Sequence, residues 1–138
     1  MKYTFLCLFG SIVLLTNAQN KSLLGDYSLR FDTPQGIIEY DLTLNPDGTF
    51  VFSYYDKIYN RLQAEKTRKG KGTWKSEKNL VFFFADDSHV DDEFNLNLNN
   101  SKARFITKSP RDKSDSVIKT ALLFYESEII KGVKLIKN

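Results

Sequence analysis

The stretch Leu42–Tyr55, LTLNPDGTFVFSYY, places two alternating apolar runs on either side of a four-residue turn. Pro46 presets φ for the second turn position, and Gly48 supplies the positive φ of a type I turn followed by a G1 bulge. This turn sets Leu44 opposite Phe50 across the hairpin. One face then gathers the apolar side chains, namely Tyr40, Leu42, Leu44, Phe50, Phe52 and Tyr54. Because register follows the arrangement that buries one face, the sequence predicts a half-buried antiparallel hairpin.

The rest of the chain repeats this short-period alternation, with turn residues between the runs. Further strands are predicted over residues 25–31, 70–75, 79–85, 94–98, 103–107, 117–125 and 133–137. Together with the hairpin they make about eight or nine strands, and no helix of ordinary length is predicted. The fold class is therefore all-β, an antiparallel up-and-down meander that forms either a barrel or a strongly curved sandwich. Closure is favoured because it removes exposed sheet edges.

The N-terminus, MKYTFLCLFGSIVLLTNAQN, has the pattern of a secretory signal peptide. Lys2 is the positive end, an apolar stretch follows, and small residues precede a cleavage site after Ala18. We predict a signal peptide over residues 1–18, one domain over residues 19–138, and a secreted or periplasmic location. Cys7 is the only cysteine, so the cleaved chain has neither a disulfide nor a thiol nucleophile. The formal net charge of +3 is too balanced to indicate nucleic acid, and we expect a monomer.

Connections in a meander alternate between its two ends. In the predicted strand order, the connections at residues 45–48, 76–79, 99–102 and 127–131 share one end and are short. Those at residues 32–36, 56–69, 86–92 and 108–116 share the other end and are mostly long. Binding sites of β scaffolds lie preferentially on loops and at barrel mouths, so we expect any site at the long-loop end.

The turn and packing motifs resemble those of small exported lipocalin-like proteins of bacteria. The motifs are Gly25-x-Tyr27 at the first strand, LTLNPDGTFVF, and KGTW at Lys71–Trp74 before an apolar strand. The resemblance covers most of the cleaved chain, and it implies a calycin-type barrel that either holds a small apolar ligand or is filled by its own side chains. Related envelope lipoproteins carry a lipidated cysteine and a Cys-x-x-Cys motif. Because this chain lacks that motif, their copper role does not carry over.

The aromatic residues can either line a cavity or fill the core. Eight are predicted to point inward: Phe50, Phe52, Tyr54, Trp74, Phe82, Phe84, Phe94 and Phe105. An eight-stranded barrel has an interior about wide enough for side chains alone. The sequence therefore favours a filled core with a shallow pocket at the mouth over a deep cavity.

The segment Asp56–Lys75 is strongly basic and is the first candidate site. One interpretation is a binding loop, with Ile58 and Leu62 on one turn of an amphipathic lid helix, that attracts an anionic ligand. The other is a solvated hairpin extension, which is the commoner meaning of a charge run. The candidate ligand-binding residues are Tyr54, Lys57, Tyr59, Arg61, Arg68, Trp74 and Phe84.

The acidic segment Ala85–Phe94 is the second candidate. Carboxylates suit hard cations and His89 could add a nitrogen ligand, which makes Asp86, Asp87, His89 and Asp91 the candidate metal ligands. The spacing fits no calcium-loop signature. The simpler interpretation is a soluble loop that pairs with the basic segment at the same end of the fold.

Catalysis finds little support in the sequence. His89 is the only histidine, and no nucleophile elbow is present. Glu39 and Asp41 share a strand face at a spacing that suits paired carboxylates, but there they simply face solvent. We therefore expect no enzyme and no cofactor. The leading hypothesis is an exported protein that binds a small apolar or anionic amphipathic ligand; the alternative is a module with a solid core that binds an envelope protein, as in stress response or inhibition.

Overall fold

The structure is a computed structural model that describes residues 22–62 and 65–138. The predicted signal peptide lies outside the described residues. Eight antiparallel strands close into a barrel in sequence order. They are β1 (Gly25–Thr33), β2 (Gly36–Leu44), β3 (Thr49–Ile58), β4 (Glu65–Glu77), β5 (Leu80–Phe84), β6 (Lys102–Ile106), β7 (Ala121–Glu126) and β8 (Lys134–Lys137). A short 3₁₀ helix spans Asp87–His89, and no described residues form a helix long and apolar enough to cross a membrane.

The predicted register of the β2–β3 hairpin is confirmed. Leu44 lies opposite Phe50, and the pairing continues through Leu42 and Phe52 to the two tyrosines at positions 40 and 54. Gly48 adopts φ 85° in the turn, and the Asp47 carboxylate accepts a hydrogen bond from the Thr49 amide at 2.9 Å. The sequence rules for the turn therefore hold in detail.

The barrel is closed by pairing of β1 with β8, where Ser28 lies opposite Ile136. Its interior is filled by side chains. Phe83 lies at the centre, with its ring 5.1 Å from Phe50 and 5.2 Å from Phe124. The other large buried side chains include Tyr27, Leu42, Leu44, Phe52, Trp74, Leu98, Leu122 and Leu135. Of the two interiors that the sequence allows, the structure has the filled one.

The predicted facing of β5 was wrong. Phe82 and Phe84 were expected to point inward, but Phe83 is fully buried and Phe84 is 40% exposed. Cross-strand neighbours share a face, and Phe83 pairs with the buried Trp74 of β4. The β4–β5 register therefore turns Phe83 into the core and leaves its two neighbours on the outer face.

No strand forms over residues 94–98, contrary to the sequence prediction. Instead the Leu96 amide donates to the Lys69 carbonyl at 2.8 Å, and Leu98 enters the core. Gly70 permits this approach, since a Cβ there would lie 2.4 Å from Leu98 Cδ1. Phe94 was also predicted to point inward, but it lies against the outward-facing Lys71, whose Nζ is 4.4 Å from the ring centre.

Because residues 94–98 form no strand, the later connections lie at different ends of the barrel from those predicted. The β1–β2, β3–β4, β5–β6 and β7–β8 connections lie at one end, which we call the open end. The 127–133 connection therefore joins the open end, whereas the long 107–120 connection lies at the opposite end with the turn at residues 45–48. Both placements reverse the sequence prediction. Val117 and Ile118, predicted within a strand, are exposed in the 107–120 connection.

The basic segment is mostly a paired hairpin rather than a long loop with a lid helix. β3 extends to Ile58 and β4 begins at Glu65, so most of the predicted loop at 56–69 is paired strand. Ile58 belongs to β3, and the lid helix through Ile58 and Leu62 was wrong. The observed structure is the extension of a hairpin beyond the barrel wall.

Candidate functional site

A cleft of about 240 Å³ lies at the open end, and we call it the mouth cleft. Its walls come from three strands and two connections. Tyr40 and Tyr54 face each other across β2 and β3 with ring centres 5.3 Å apart, and Arg68 of β4 lies opposite Tyr54. The connections complete the lining, which comprises Tyr40, Tyr54, Arg68, Leu96, Ile129 and Ile130. The lining is therefore of mixed character, with aromatic and aliphatic surface beside tyrosine hydroxyls and one guanidinium.

The charge at the mouth cleft comes from Arg68. Its side chain is exposed, and no acid among the described residues lies within ion-pair distance of it. Burial raises the pKa of Tyr54 above its ordinary value, nearby Asp56 adds to the rise, and Arg68 opposes it. Tyr54 therefore stays a neutral hydroxyl near neutral pH, and Arg68 supplies the net positive charge of the lining.

A second cleft, of about 280 Å³, continues on the same face toward the tips of β1, β2 and β3. We call it the hairpin cleft. Its residues are Phe31, Thr33, Gln35, Gly36, Ile37, Ile38, Asp56, Lys57 and Ile58. Gly36 is needed here because a Cβ would lie 2.0 Å from the Lys57 carbonyl oxygen. The lining is mostly apolar, with Asp56 as its acidic group.

A third cleft is larger and polar. It measures about 550 Å³ and lies between the β5–β6 and β7–β8 connections. Its lining comprises Asn97, Asn99, Asn100, Glu126, Ser127, Glu128 and Lys131. Several of these groups already have partners. Asn99 Oδ1 accepts from the Ala85 amide at 3.1 Å, and Glu126 pairs with Lys102 at 3.1 Å.

The structure brings two of the predicted ligand-binding residues together and separates the others. Tyr54 and Arg68 meet in the mouth cleft. Lys57 lies on the outer face of β3 at the rim of the hairpin cleft, where its Nζ pairs with Glu65 at 3.2 Å. Tyr59 and Arg61 are exposed in the β3–β4 turn.

The two predicted aromatic anchors lie elsewhere. Trp74 is buried in the core, and its Nε1 donates to the Asn45 carbonyl at 3.2 Å, beside the β2–β3 turn at the far end of the barrel. Phe84 lies on the outer face, with Lys75 Nζ 6.0 Å from its ring centre. Neither residue lines the mouth cleft or the hairpin cleft.

The acidic segment uses its side chains in turns and ion pairs. Asp86 caps the 3₁₀ helix by accepting from the Ser88 amide, and His89 Nδ1 accepts from the Asp86 amide at 3.1 Å. Asp91 accepts from the amides of Glu93 and Phe94, which lowers the pKa of its carboxyl. Within the described residues, no group of three or more acidic, histidine or cysteine side chains is arranged to hold a metal ion.

Two ion pairs tie this acidic segment to β4. Lys71 Nζ lies 3.5 Å from Asp91, and Lys69 Nζ lies 3.6 Å from Glu93. Pairing between the acidic and basic segments was the simpler interpretation of the sequence, and the structure has it. Both pairs lie at the surface, where screening by solvent keeps their contribution to stability small.

The outer face of β2 carries a carboxylate cluster at Asp41. Partial burial raises the pKa of Asp41, and the charges of Glu39 and Asp26 raise it further. The Asp41 carboxylate therefore binds a proton more tightly in the folded protein than in the unfolded chain. The stability from the protonated form is present at low pH and is lost as pH rises through the titration of this carboxyl.

We expect Asp41→Asn to raise the free energy of unfolding at about pH 7 by less than about 1 kcal/mol, because the group is half-exposed. The gain should vanish at about pH 3, where Asp41 is itself neutral. Urea unfolding at both pH values measures this. Asp112→Asn is the control, since Ser114 lowers the pKa of Asp112 and its removal should bring no gain.

Of the mouth-cleft lining, sequence analysis missed Tyr40, Leu96, Ile129 and Ile130; of the hairpin-cleft lining, it named only Lys57 as a candidate contact. Leu96 was placed in a strand, and the two isoleucines in a connection at the other end. Tyr40 could have been found, because the predicted register already placed it opposite Tyr54. Asp56 was counted only as one of the acids within the basic segment.

Comparisons of the chain with models of known protein families, with curated proteins and with solved structures found no significant match.

Proposed function

We propose that this protein is an exported, non-enzymatic, lipocalin-like binding protein whose mouth cleft takes a small anionic amphipathic ligand. The observation that carries the proposal is Arg68, a guanidinium in the lining of a cleft of mixed polar and apolar surface, with no acidic partner among the described residues. A planar guanidinium is suited to bind a carboxylate or phosphate through two parallel hydrogen bonds. The anionic head group of the ligand would lie beside the Arg68 guanidinium, where none of the described residues places a carboxylate.

The apolar part of the ligand would pack against the remainder of the lining. Tyr40, Leu96 and Ile129 offer aromatic and aliphatic surface. The volume of about 240 Å³ equals that of about eight water molecules in the liquid, which suits a short chain or one end of a longer one. Ile38 and Asp56, two positions beyond Tyr40 and Tyr54, continue the same face into the hairpin cleft.

The filled interior supports a ligand at the mouth rather than inside the barrel. Phe83, Phe52 and Leu122 are fully buried in the interior. A ligand that entered as far as Trp74 would have to displace these side chains. The cleft is therefore the volume that a ligand can occupy without repacking the core.

The test is a calorimetric titration of octanoate into the protein and into Arg68→Gln. Hydrogen bonds to a charged group contribute about 1.5–3 kcal/mol, so we expect the substitution to weaken binding by about tenfold or more. Lys113→Gln, an exposed charge removal in the 107–120 connection, is the matched control and should leave the affinity unchanged. Octanol, which has the same chain length without the charge, should bind more weakly than octanoate.

Equal affinity of the wild type and Arg68→Gln, or no binding of octanoate at all, would refute the proposal. A protein-interaction role would then become the working account. It is favoured by Leu62, whose side chain is fully exposed at the tip of the β3–β4 hairpin.

A further inference from the structure

Asp56 lines the hairpin cleft, and one of its carboxylate oxygens has no hydrogen-bond partner among the described residues. Asp56 Oδ1 is buried and accepts no hydrogen bond within the described part of the chain. The other carboxylate oxygen, Oδ2, accepts from the Tyr54 hydroxyl at 3.3 Å, at the border of the mouth cleft. Most buried polar side-chain atoms in proteins have a hydrogen-bond partner, so this oxygen calls for a specific explanation.

The surroundings of Asp56 are apolar and open to a ligand. Phe31, Ile38 and Ile58 line the cleft around it and are 50%, 37% and 41% exposed. Large apolar side chains exposed together around a concave surface mark a binding site more often than isolated ones do. The cleft therefore combines one buried acceptor with an apolar wall.

We propose that the hairpin cleft binds a primary ammonium that carries a short apolar chain. The ammonium pairs with the Asp56 carboxylate, whose Oδ1 has to turn out of its buried position to accept the hydrogen bond, while the chain packs against Phe31, Ile38 and Ile58. A primary ammonium has N–H donors for this bond, and a quaternary one has none. The volume of about 280 Å³ equals that of about nine water molecules, so the chain is short.

Two lysines of the protein lie near this site. Lys57 is already paired with Glu65 at 3.2 Å. Lys66 lies opposite Asp56 in the β3–β4 register, but it is exposed and its Nζ is beyond ion-pair distance of the carboxylate. The ammonium of Lys66 could therefore compete with the ligand ammonium for Asp56. A variant without the Lys66 charge separates the two cations.

The proposal is independent of the anion site at Arg68, because the two clefts bear opposite charges. Octylamine and octanoate share a chain length and differ in the head group. Asp56→Ala should weaken octylamine binding by about tenfold or more, and it should not weaken octanoate binding because it removes only a negative charge. Asp56→Asn keeps the oxygen and loses the charge, so its effect should be intermediate. Arg68→Gln should show the reverse pattern.

The experiment is calorimetric titration of octylamine into the wild type, the two Asp56 variants, Arg68→Gln and Lys66→Met. Binding should persist or tighten in Lys66→Met, because a competing cation is removed. On the wild type, trimethyloctylammonium should bind much more weakly than octylamine, and this comparison needs no variant to fold. Three results would each overturn the proposal: no binding of octylamine, equal affinities for octylamine and trimethyloctylammonium, or an unchanged affinity for octylamine in Asp56→Ala.

Discussion

Replacing Phe83 by alanine is expected to lower the free energy of unfolding by about 3–5 kcal/mol. Phe83 is fully buried, and its ring contacts Phe50 of β3 edge-on at an interplanar angle of 87° and Phe124 of β7 at 31°. The substitution removes both ring contacts and leaves a cavity between opposite walls of the barrel. Urea unfolding followed by the fluorescence of Trp74, the single tryptophan, measures the loss.

Phe84→Ala is the matched control for Phe83→Ala. The two residues are adjacent and chemically identical, but Phe84 is 40% exposed on the outer face. We expect its replacement to cost about 1 kcal/mol or less, from lost strand propensity and a minor packing contact. A larger loss for Phe84→Ala than for Phe83→Ala would mean that β5 faces the other way, as its sequence first indicated.

Replacing Gly72 by alanine is expected to destabilise the protein by about 3 kcal/mol, the upper part of the usual range for overpacking. A Cβ at this position would lie 2.1 Å from the Phe84 carbonyl oxygen and 2.9 Å from Phe50 Cε1. The first of these is a backbone atom, so the β4–β5 pairing itself has to shift. The midpoint of chemical unfolding measures the effect.

Thr73→Ala provides the control for Gly72→Ala, since Thr73 is the next residue of β4 and points outward. Its replacement should cost no more than about 1 kcal/mol, from strand propensity alone. Equal effects at the two positions would contradict the close approach of β5 to β4 at Gly72.

The parts of the fold that the sequence predicted depend on local rules. Pro46 and Gly48 fix the turn, the turn fixes the register, and the register places Leu44 against Phe50. The same reasoning gave an all-β meander, because short alternating runs that are joined by turns pair antiparallel with their neighbours in sequence. Both conclusions needed only neighbours in sequence.

The predictions that were wrong concern segments where the alternation of apolar and polar residues is ambiguous, or where packing overrides it. The run Leu80–Phe84 is apolar on both faces, so only its pairing with Trp74 decides that Phe83 is buried. In the 94–98 segment the alternation is regular, but Asn97 accepts a hydrogen bond from the Asn99 amide at 2.9 Å. Local bonds of this kind compete with strand pairing, and the segment contacts β4 through the single Leu96–Lys69 backbone bond instead.

The candidate site could be predicted only in part for the same reason. Tyr54 and Arg68 were both candidates and both line the mouth cleft; Tyr54 follows from the hairpin register, and Arg68 belongs to the basic segment. Ile129 and Ile130 were missed because one strand too many had been predicted before them. Each additional strand in a meander moves every later connection to the other end of the barrel.

The central claim, that an anionic amphipath binds at the mouth cleft, is tested most directly by amide chemical shifts of the isotope-labelled protein during titration with octanoate. We predict that the shift changes concentrate at Tyr40, Tyr54, Arg68, Leu96 and the two isoleucines at positions 129 and 130, and that Trp74 beside the β2–β3 turn is unaffected. Changes centred on Trp74 or on the outer face at Phe84, or no saturable change at any residue, would contradict the account.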